Sequence, residues 1–177
     1  MSAKNNSGDT PKIFPKVMVT GHRPKSFGAG DELWSVRELH RTLKRLQRFH
    51  GVEEAISGMA LGADTWWADS ALSLGIPLAA YIPFEAQPDA WGRDDREKWR
   101  SLREQAHREV VLGDHYDVRL LHARNDAMLR DADLCVALWR KSATSGGTFS
   151  AVKKAQAMGK PLIILDPEEH SVLTENF

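Results

Sequence analysis

Apolar positions in this chain fall into short runs with no charge inside them, separated by longer stretches with helical spacing. Lys16–Thr20, Glu54–Ser57, Ile76–Pro83, Leu134–Trp139 and Pro161–Leu165 are rich in Val, Ile, Leu and Ala and end at Gly, Pro or polar residues, the signature of buried parallel strands. Val118–Leu121 is a further strand candidate. Between the runs, Val36, Leu39, Leu43 and Leu46 recur at helical spacing after Asp31, which is placed to cap the helix, and stop before Gly51. Trp66, Trp67, Ala68, Ala71 and Leu72 do the same between Gly62 and Gly75. Trp99, Leu102, Ala106 and Val110 draw one apolar stripe through a charged helix expected over Asp94–Val111, whose Arg and Glu residues form a solvated face. A short helix is expected over Asn125–Asp131, and another after Gly146 that Gly159 should cap. Strand and helix alternating in this way predict one α/β domain over 16–170, a doubly wound, mainly parallel sheet with helices on both faces and right-handed crossovers. Residues 1–15 and 171–177 are expected to be tails.

In such a sheet, ligands bind beyond the carboxyl ends of the strands, so the turns after the apolar runs are where chemistry belongs. Gly21, His22 and Arg23 follow the first run. Ser57, Gly58, Gly62 and Asp64 follow the second, and Ser145, Gly146, Gly147 and Thr148 follow the run ending at Trp139. The Ser145–Thr148 turn is the best anion site: its glycines let backbone amides approach a phosphate, the helix behind offers free N–H groups, and Thr148 adds a hydroxyl. Its rival reading is a tight connection that needs glycine for its own geometry. Arg23 offers a planar fork for phosphate. His22 either titrates near neutrality or is locked by hydrogen bonds. Asp64 either accepts hydrogen bonds from ribose hydroxyls or serves the first turn of its helix. Trp91 either stacks on a base or packs.

Composition narrows the classes. Lys and Arg total 24, as do Asp and Glu, so no bulk attraction draws the chain to nucleic acid or anionic membrane, and nucleic acid is not the expected partner. The single cysteine, Cys135, lies inside an apolar run, excludes an internal disulfide and fits a reducing compartment. No stretch has the length of a membrane span and residues 1–10 lack a signal-peptide core, so a cytoplasmic protein is expected. The histidines are scattered, no His-Glu-x-x-His or paired cysteines occur, and the glycine turn matches neither Gly-x-Gly-x-x-Gly nor the P-loop. No metal and no cofactor is therefore expected.

Five motifs together resemble the YpsA-type branch of the SLOG superfamily: Thr-Gly-His-Arg-Pro at Thr20–Pro24, Ser-Gly-Met-Ala-Leu-Gly-Ala-Asp at Ser57–Asp64, Pro-Phe-Glu-Ala-Gln with a following Trp at Pro83–Trp91, Arg-Asn-Asp-Ala-Met at Arg124–Met128, and Gly-Gly-Thr at Gly146–Thr148. They occur in order across nearly the whole chain after the tail. The resemblance implies a Rossmann-like fold related to the LOG (lysine decarboxylase-like) proteins and the core of DprA, a nucleotide or nucleotide-derived ligand, and self-association into a homodimer or higher homo-oligomer. It implies ligand contacts from the turn residues named above, with Arg124 and Asn125 beside them. Three functions follow as expectations: a nucleotide-binding sensor, a hydrolase cleaving the N-glycosidic bond of a nucleoside phosphate, or a DprA-like nucleic-acid or protein interaction module. LOG enzymes carry a catalytic glutamate three residues after the threonine of the glycine turn, where this chain has Ala151. A hydrolase would need another carboxylate, and Glu85 and Asp64 are the candidates by position.

Overall fold

The computed structural model describes residues 10–177. Among these residues seven strands form one sheet: β1 (Lys16–Gly21), β2 (Glu54–Ser57), β3 (Leu78–Ile82), β4 (Arg108–Val111), β5 (Leu134–Leu138), β6 (Leu162–Asp166) and β7 (Ser171–Glu175). Their order is β4-β3-β2-β1-β5-β6-β7, parallel throughout except for the antiparallel β7. Five α-helices connect them: α1 (Ala29–His50), α2 (Ala63–Ser73), α3 (Arg93–Gln105), α4 (Val118–Asp131) and α5 (Gly147–Ala157).

Strands β1, β2, β3, β5 and β6 carry no charge in their interiors because both sheet faces are covered there. Val17 and Val19 of β1 point to one face, where they join Leu39 and Leu43 of α1 and Trp67 of α2; Met18 points to the other, against Met128 of α4 and Val152 of α5. Trp99 and Leu102 of α3 pack with Leu78, Ala80 and Ile82 of β3. From β1, successive strands add outward to β4 on one side and to β7 on the other. The order therefore reverses between β1 and β5, which pair from Val17–Leu134 to Gly21–Leu138. A crevice opens at such a reversal because the connections leave in opposite directions.

Several expected boundaries move. The helix expected over Asp94–Val111 ends at Gln105, where Ala106 turns extended, and Arg108–Val111 become β4. The apolar spacing of Ala106 and Val110 suits a helix, but β-branched Val110 and Val111 pair with the otherwise open edge of β3. Val118–Leu121 is not a strand but the start of α4, opened by Asp117, whose Oδ1 accepts the Arg119 N–H at 2.8 Å. Helix α1 starts at Ala29 after Gly28, so Asp31 sits in the first turn rather than at the cap. Of the expected N-terminal tail, residues 1–9 lie outside the described residues. Phe14 is buried and donates its N–H to the His50 carbonyl at 2.8 Å, so residues 14 and 15 belong to the folded body. The expected C-terminal tail is instead β7, whose backbone pairs along β6. Among the described residues, no helix is long and apolar enough to cross a membrane.

Candidate functional site

A cleft of about 400 Å³ opens beyond the carboxyl ends of β1 and β5. The end of β1 contributes Gly21, His22 and Arg23, α2 contributes Asp64, α4 contributes His122, Arg124 and Asn125, and α5 contributes Gly147 and Thr148. His122 and Asn125 are three residues apart on α4, so both fall on the face turned to the cleft.

The floor is fastened at the Gly58 carbonyl. It accepts hydrogen bonds from Arg124 Nη1 and from Gln87 Nε2, the latter at 3.1 Å. Gln87 in turn accepts the Trp99 indole N–H through Oε1 at 3.1 Å. Three separated motifs thus meet at one oxygen. Gly58 is required there by space: a Cβ would stand 2.2 Å from Arg124 Nη1 and 2.7 Å from Asp64 Oδ2. Ser57 braces the same turn, its hydroxyl donating to the Asp64 carbonyl at 2.7 Å and accepting the Met59 N–H at 3.1 Å. Met59 holds φ at +60°, a strained value for a side-chain-bearing residue that the surrounding bonds keep in place. Gly62, with φ at +93°, is needed both for that angle and because a Cβ would lie 2.6 Å from the His22 carbonyl.

Arg124 and Asp64 form a buried pair, with Nη1 3.6 Å from Oδ2 and side chains 8% and 9% exposed. Arg124 Nε also donates to Asn125 Oδ1 at 2.8 Å. Burial pushes the Asp64 carboxyl above its usual range, against the opposing pull of Arg124, the Ala60 N–H and Arg23. Burial lowers the Arg124 guanidinium for the same reason, while Asp64 supports its charge. The cleft wall thus sets two guanidinium groups, Arg23 and Arg124, against one carboxylate, and their surplus charge suits an anion.

The start of α5 completes that polarity. The chain enters it through Gly146 at φ +95°, and the first intrahelical bond is from the Ser150 N–H to the Gly146 carbonyl at 3.0 Å. The amides before Ser150 have no intrahelical partner. The first turn of α5 holds no acidic residue, whereas α1, α2 and α3 each carry one or two there and α4 is capped by Asp117. An anion therefore meets the least opposition at α5.

His22 is held rather than free. Its Nε2 accepts the Arg140 N–H at 3.0 Å, which leaves the ring proton on Nδ1. Burial and the nearby Arg140 charge lower its pKa from the ordinary 6.5, so the ring is neutral near pH 7.

The other expected site residues divide. Gly21 lines the cleft but is also demanded by packing, since a Cβ would lie 2.3 Å from Ala63 Cβ. Ser145 and Gly146 shape the entry to α5 without lining the cleft, and Trp91 lines a neighbouring basin instead. Glu85 is corrected outright as a cleft carboxylate: it lines neither cavity, and Arg103 clamps it through Nη1 and Nη2 at 2.6 and 3.0 Å. That hydrogen-bonded charge holds the Glu85 carboxyl below its ordinary range. Ala151 is buried in the body of α5, so the position of the LOG glutamate is core here. Sequence reading missed His122, Ser26 and Ala60 in the cleft. The signal for His122 was its helical spacing to Asn125, hidden by reading the preceding residues as a strand. Cys135 is buried in β5, and burial pushes its thiol up to about 12. Among the described residues, no group of three His, Cys, Asp or Glu side chains is arranged to hold a metal ion.

A doubly wound α/β sheet with its cleft at the β1/β5 reversal places this chain in the Rossmann-like class. It matches the YspA SLOG family over residues 17–169 and belongs to that family. No curated protein matches it at the sequence level. Among solved structures, DNA processing protein A (DprA) from Streptococcus pneumoniae superposes with a TM-score of 0.64 at 18% identity, covering 85% of this chain and 50% of the other. This chain thus spans half the length of that relative. DprA from Helicobacter pylori, described in its single-stranded DNA binding mode, gives 0.60 at 18% identity, covering 91% and 71%. The Moco carrier protein from Chlamydomonas reinhardtii gives 0.54 at 16% identity, covering 85% and 75%. At these identities the likeness is one of fold.

Proposed function

We propose that the β1/β5 cleft binds a nucleotide-derived ligand. Gly147 and Thr148 hold its phosphate at the start of α5 with Gly146 setting the turn, Arg23 supplies the countercharge, and Asp64 and Asn125 orient the sugar or base. The observation that carries this reading is the charge arrangement: two guanidinium groups face one carboxylate in a cleft that also receives the non-acidic start of α5. The family membership and the Moco carrier likeness support a small-molecule role of this kind. Thermal unfolding against nucleotides, cyclic nucleotides, ADP-ribose and NAD tests it, with free base followed by chromatography in the same samples. A ligand at a hundred times its Kd adds about 2.7 kcal/mol, or roughly 5–11 °C for a domain of this size. No shift with any compound would refute the proposal.

Hydrolysis of an N-glycosidic bond is the second reading, and one observation favours it. Asp64 is the one carboxylate lining the cleft among the described residues, and burial drives its pKa upward, the direction a general acid requires. Release of free base by the wild type but not by Asp64→Asn would establish it. A nucleic-acid role, suggested by the DprA likeness, predicts salt-dependent retention on single-stranded DNA, which the balanced charge of the chain disfavours.

A further inference from the structure

A second basin of about 430 Å³ adjoins the cleft. The two share Arg23, Ala60, Leu121 and Arg124 as a common wall. Beyond that wall the second basin changes character, because it is lined by Phe84 at the end of β3, Trp91 in the loop after it, and Tyr116 in the loop before α4. Tyr116 leaves 71% of its surface in solvent, although its ring meets that of Phe84 edge-on with centroids 5.5 Å apart. Trp91 is half-buried against the β3–α3 core and contributes its remaining surface to the basin. Gln87 lines the basin too but is committed, since its amide is spent on the Gly58 carbonyl and the Trp99 indole. The basin therefore offers aromatic surface with the Asp89 carboxylate beside it, an acceptor for an exocyclic amino group.

The shared wall carries the charge. Arg124 is more than nine-tenths buried, and its Nη1 and Nε are engaged by Gly58, Asp64 and Asn125. Its Nη2 makes no hydrogen bond to protein among the described residues, and its guanidinium borders both cavities. Arg23 borders both as well. A molecule that fills the two basins must cross this wall, and the group that two guanidiniums favour at the crossing is a phosphate.

We infer that the Trp91–Tyr116 basin is a nucleobase subsite, and that the ligand is a nucleoside diphosphate or a larger nucleotide whose phosphates pass Arg23 and Arg124 to reach the start of α5. This rests on the phosphate placement proposed for the cleft and differs from that reading in seating the base in the second basin rather than beside Asp64 and Asn125. The base stacks on the aromatic surface, one phosphate lies at the arginine wall, and the next lies at Gly147 and Thr148. Base stacking on an aromatic side chain is sequence-tolerant, so the subsite selects a nucleotide over a bare phosphate chain more strongly than one base over another.

Titration calorimetry on the full chain with ADP, AMP and inorganic diphosphate tests this. ADP should bind about 5- to 150-fold tighter than diphosphate, the range that aromatic stacking supplies. AMP should bind at least tenfold more weakly than ADP, because it cannot reach both the wall and the α5 turn. In Trp91→Leu, ADP should fall toward the affinity of diphosphate while diphosphate itself is unchanged. Tyr116→Ala, at an exposed position, provides the same comparison if Trp91→Leu does not fold. If diphosphate binds and ADP binds no tighter, the base subsite is overturned while the phosphate placement stands. If neither binds the wild type, the cleft reading falls and the subsite with it. Undiminished ADP affinity in both variants would also overturn the subsite.

Discussion

Replacing Gly58 by alanine adds one methyl group at the most crowded point of the site. That carbon would lie 2.2 Å from Arg124 Nη1, 2.6 Å from Cζ and 2.7 Å from Asp64 Oδ2, all inside contact distance. Yielding means moving the guanidinium, and it is not a free arm: Gly58, Asp64 and Asn125 hold it, with only 8% of the side chain exposed. Moving it leaves the buried Asp64 carboxylate without its countercharge, and separating one member of a buried pair costs about 3–5 kcal/mol. Against this, alanine restricts the unfolded chain and returns about 0.4–1 kcal/mol. The expected net loss is about 2–4.5 kcal/mol, which for a domain of this length lowers Tm by roughly 4–18 °C. Urea unfolding followed by tryptophan fluorescence and by circular dichroism reads the difference directly. The variant should also lose ligand affinity, because Arg124 borders both cavities. Stability within about 0.5 kcal/mol of the wild type would refute the claim that Gly58 is fixed by the Arg124–Asp64 pair, since so small a change is that of an ordinary surface substitution.

Further outcomes follow from the same geometry. Gly147→Asp should keep or raise Tm, because a Cβ there meets nothing within 4 Å and an acidic residue suits the first turn of a helix, yet it should abolish phosphate binding by repulsion; thermal unfolding with and without ligand separates the two effects. Glu85→Gln should leave ligand affinity and any base release unchanged and cost less than about 1 kcal/mol, because the Arg103 pair is half exposed on the Glu85 side; a loss of turnover would restore Glu85 to the mechanism. His22 should titrate below 6.5 when followed by NMR. Its folded pKa lies below the unfolded one, so the unfolded state binds the extra proton first. The stability that neutral His22 contributes is present above about pH 6.5 and is lost as pH falls below it, an effect that His22→Leu should remove.

The sheet was legible because burial on both faces forces uncharged strands, and Val17–Val19 and Leu134–Leu138 carry no other signal to confuse them. The turns were legible for a related reason: Gly62 and Gly146 stand where the backbone takes positive φ, and Gly58 where a side chain has no room. What sequence reading could not give was direction in space. Glu85 follows β3 as a ligand-facing residue should, but whether its carboxylate meets the cleft or Arg103 depends on where α3 places an arginine eighteen residues away. Arg108–Val111 continued a helical apolar period, and only the unpaired edge of β3 turns those four residues into a strand. Reading Val118–Leu121 as a strand likewise hid the start of α4, and with it His122.

The proposed anion site lies where α5 begins, in the cleft that Arg23 and Arg124 also line. Titration of a nucleotide panel into the wild type and Gly147→Asp side by side tests it most directly. The expected result is saturable one-site binding of at least one phosphate-bearing nucleotide to the wild type, weakened more than tenfold in a variant that remains as stable as its parent. Equal affinity in the two proteins, or no binding to the wild type by any member of the panel, would contradict the account.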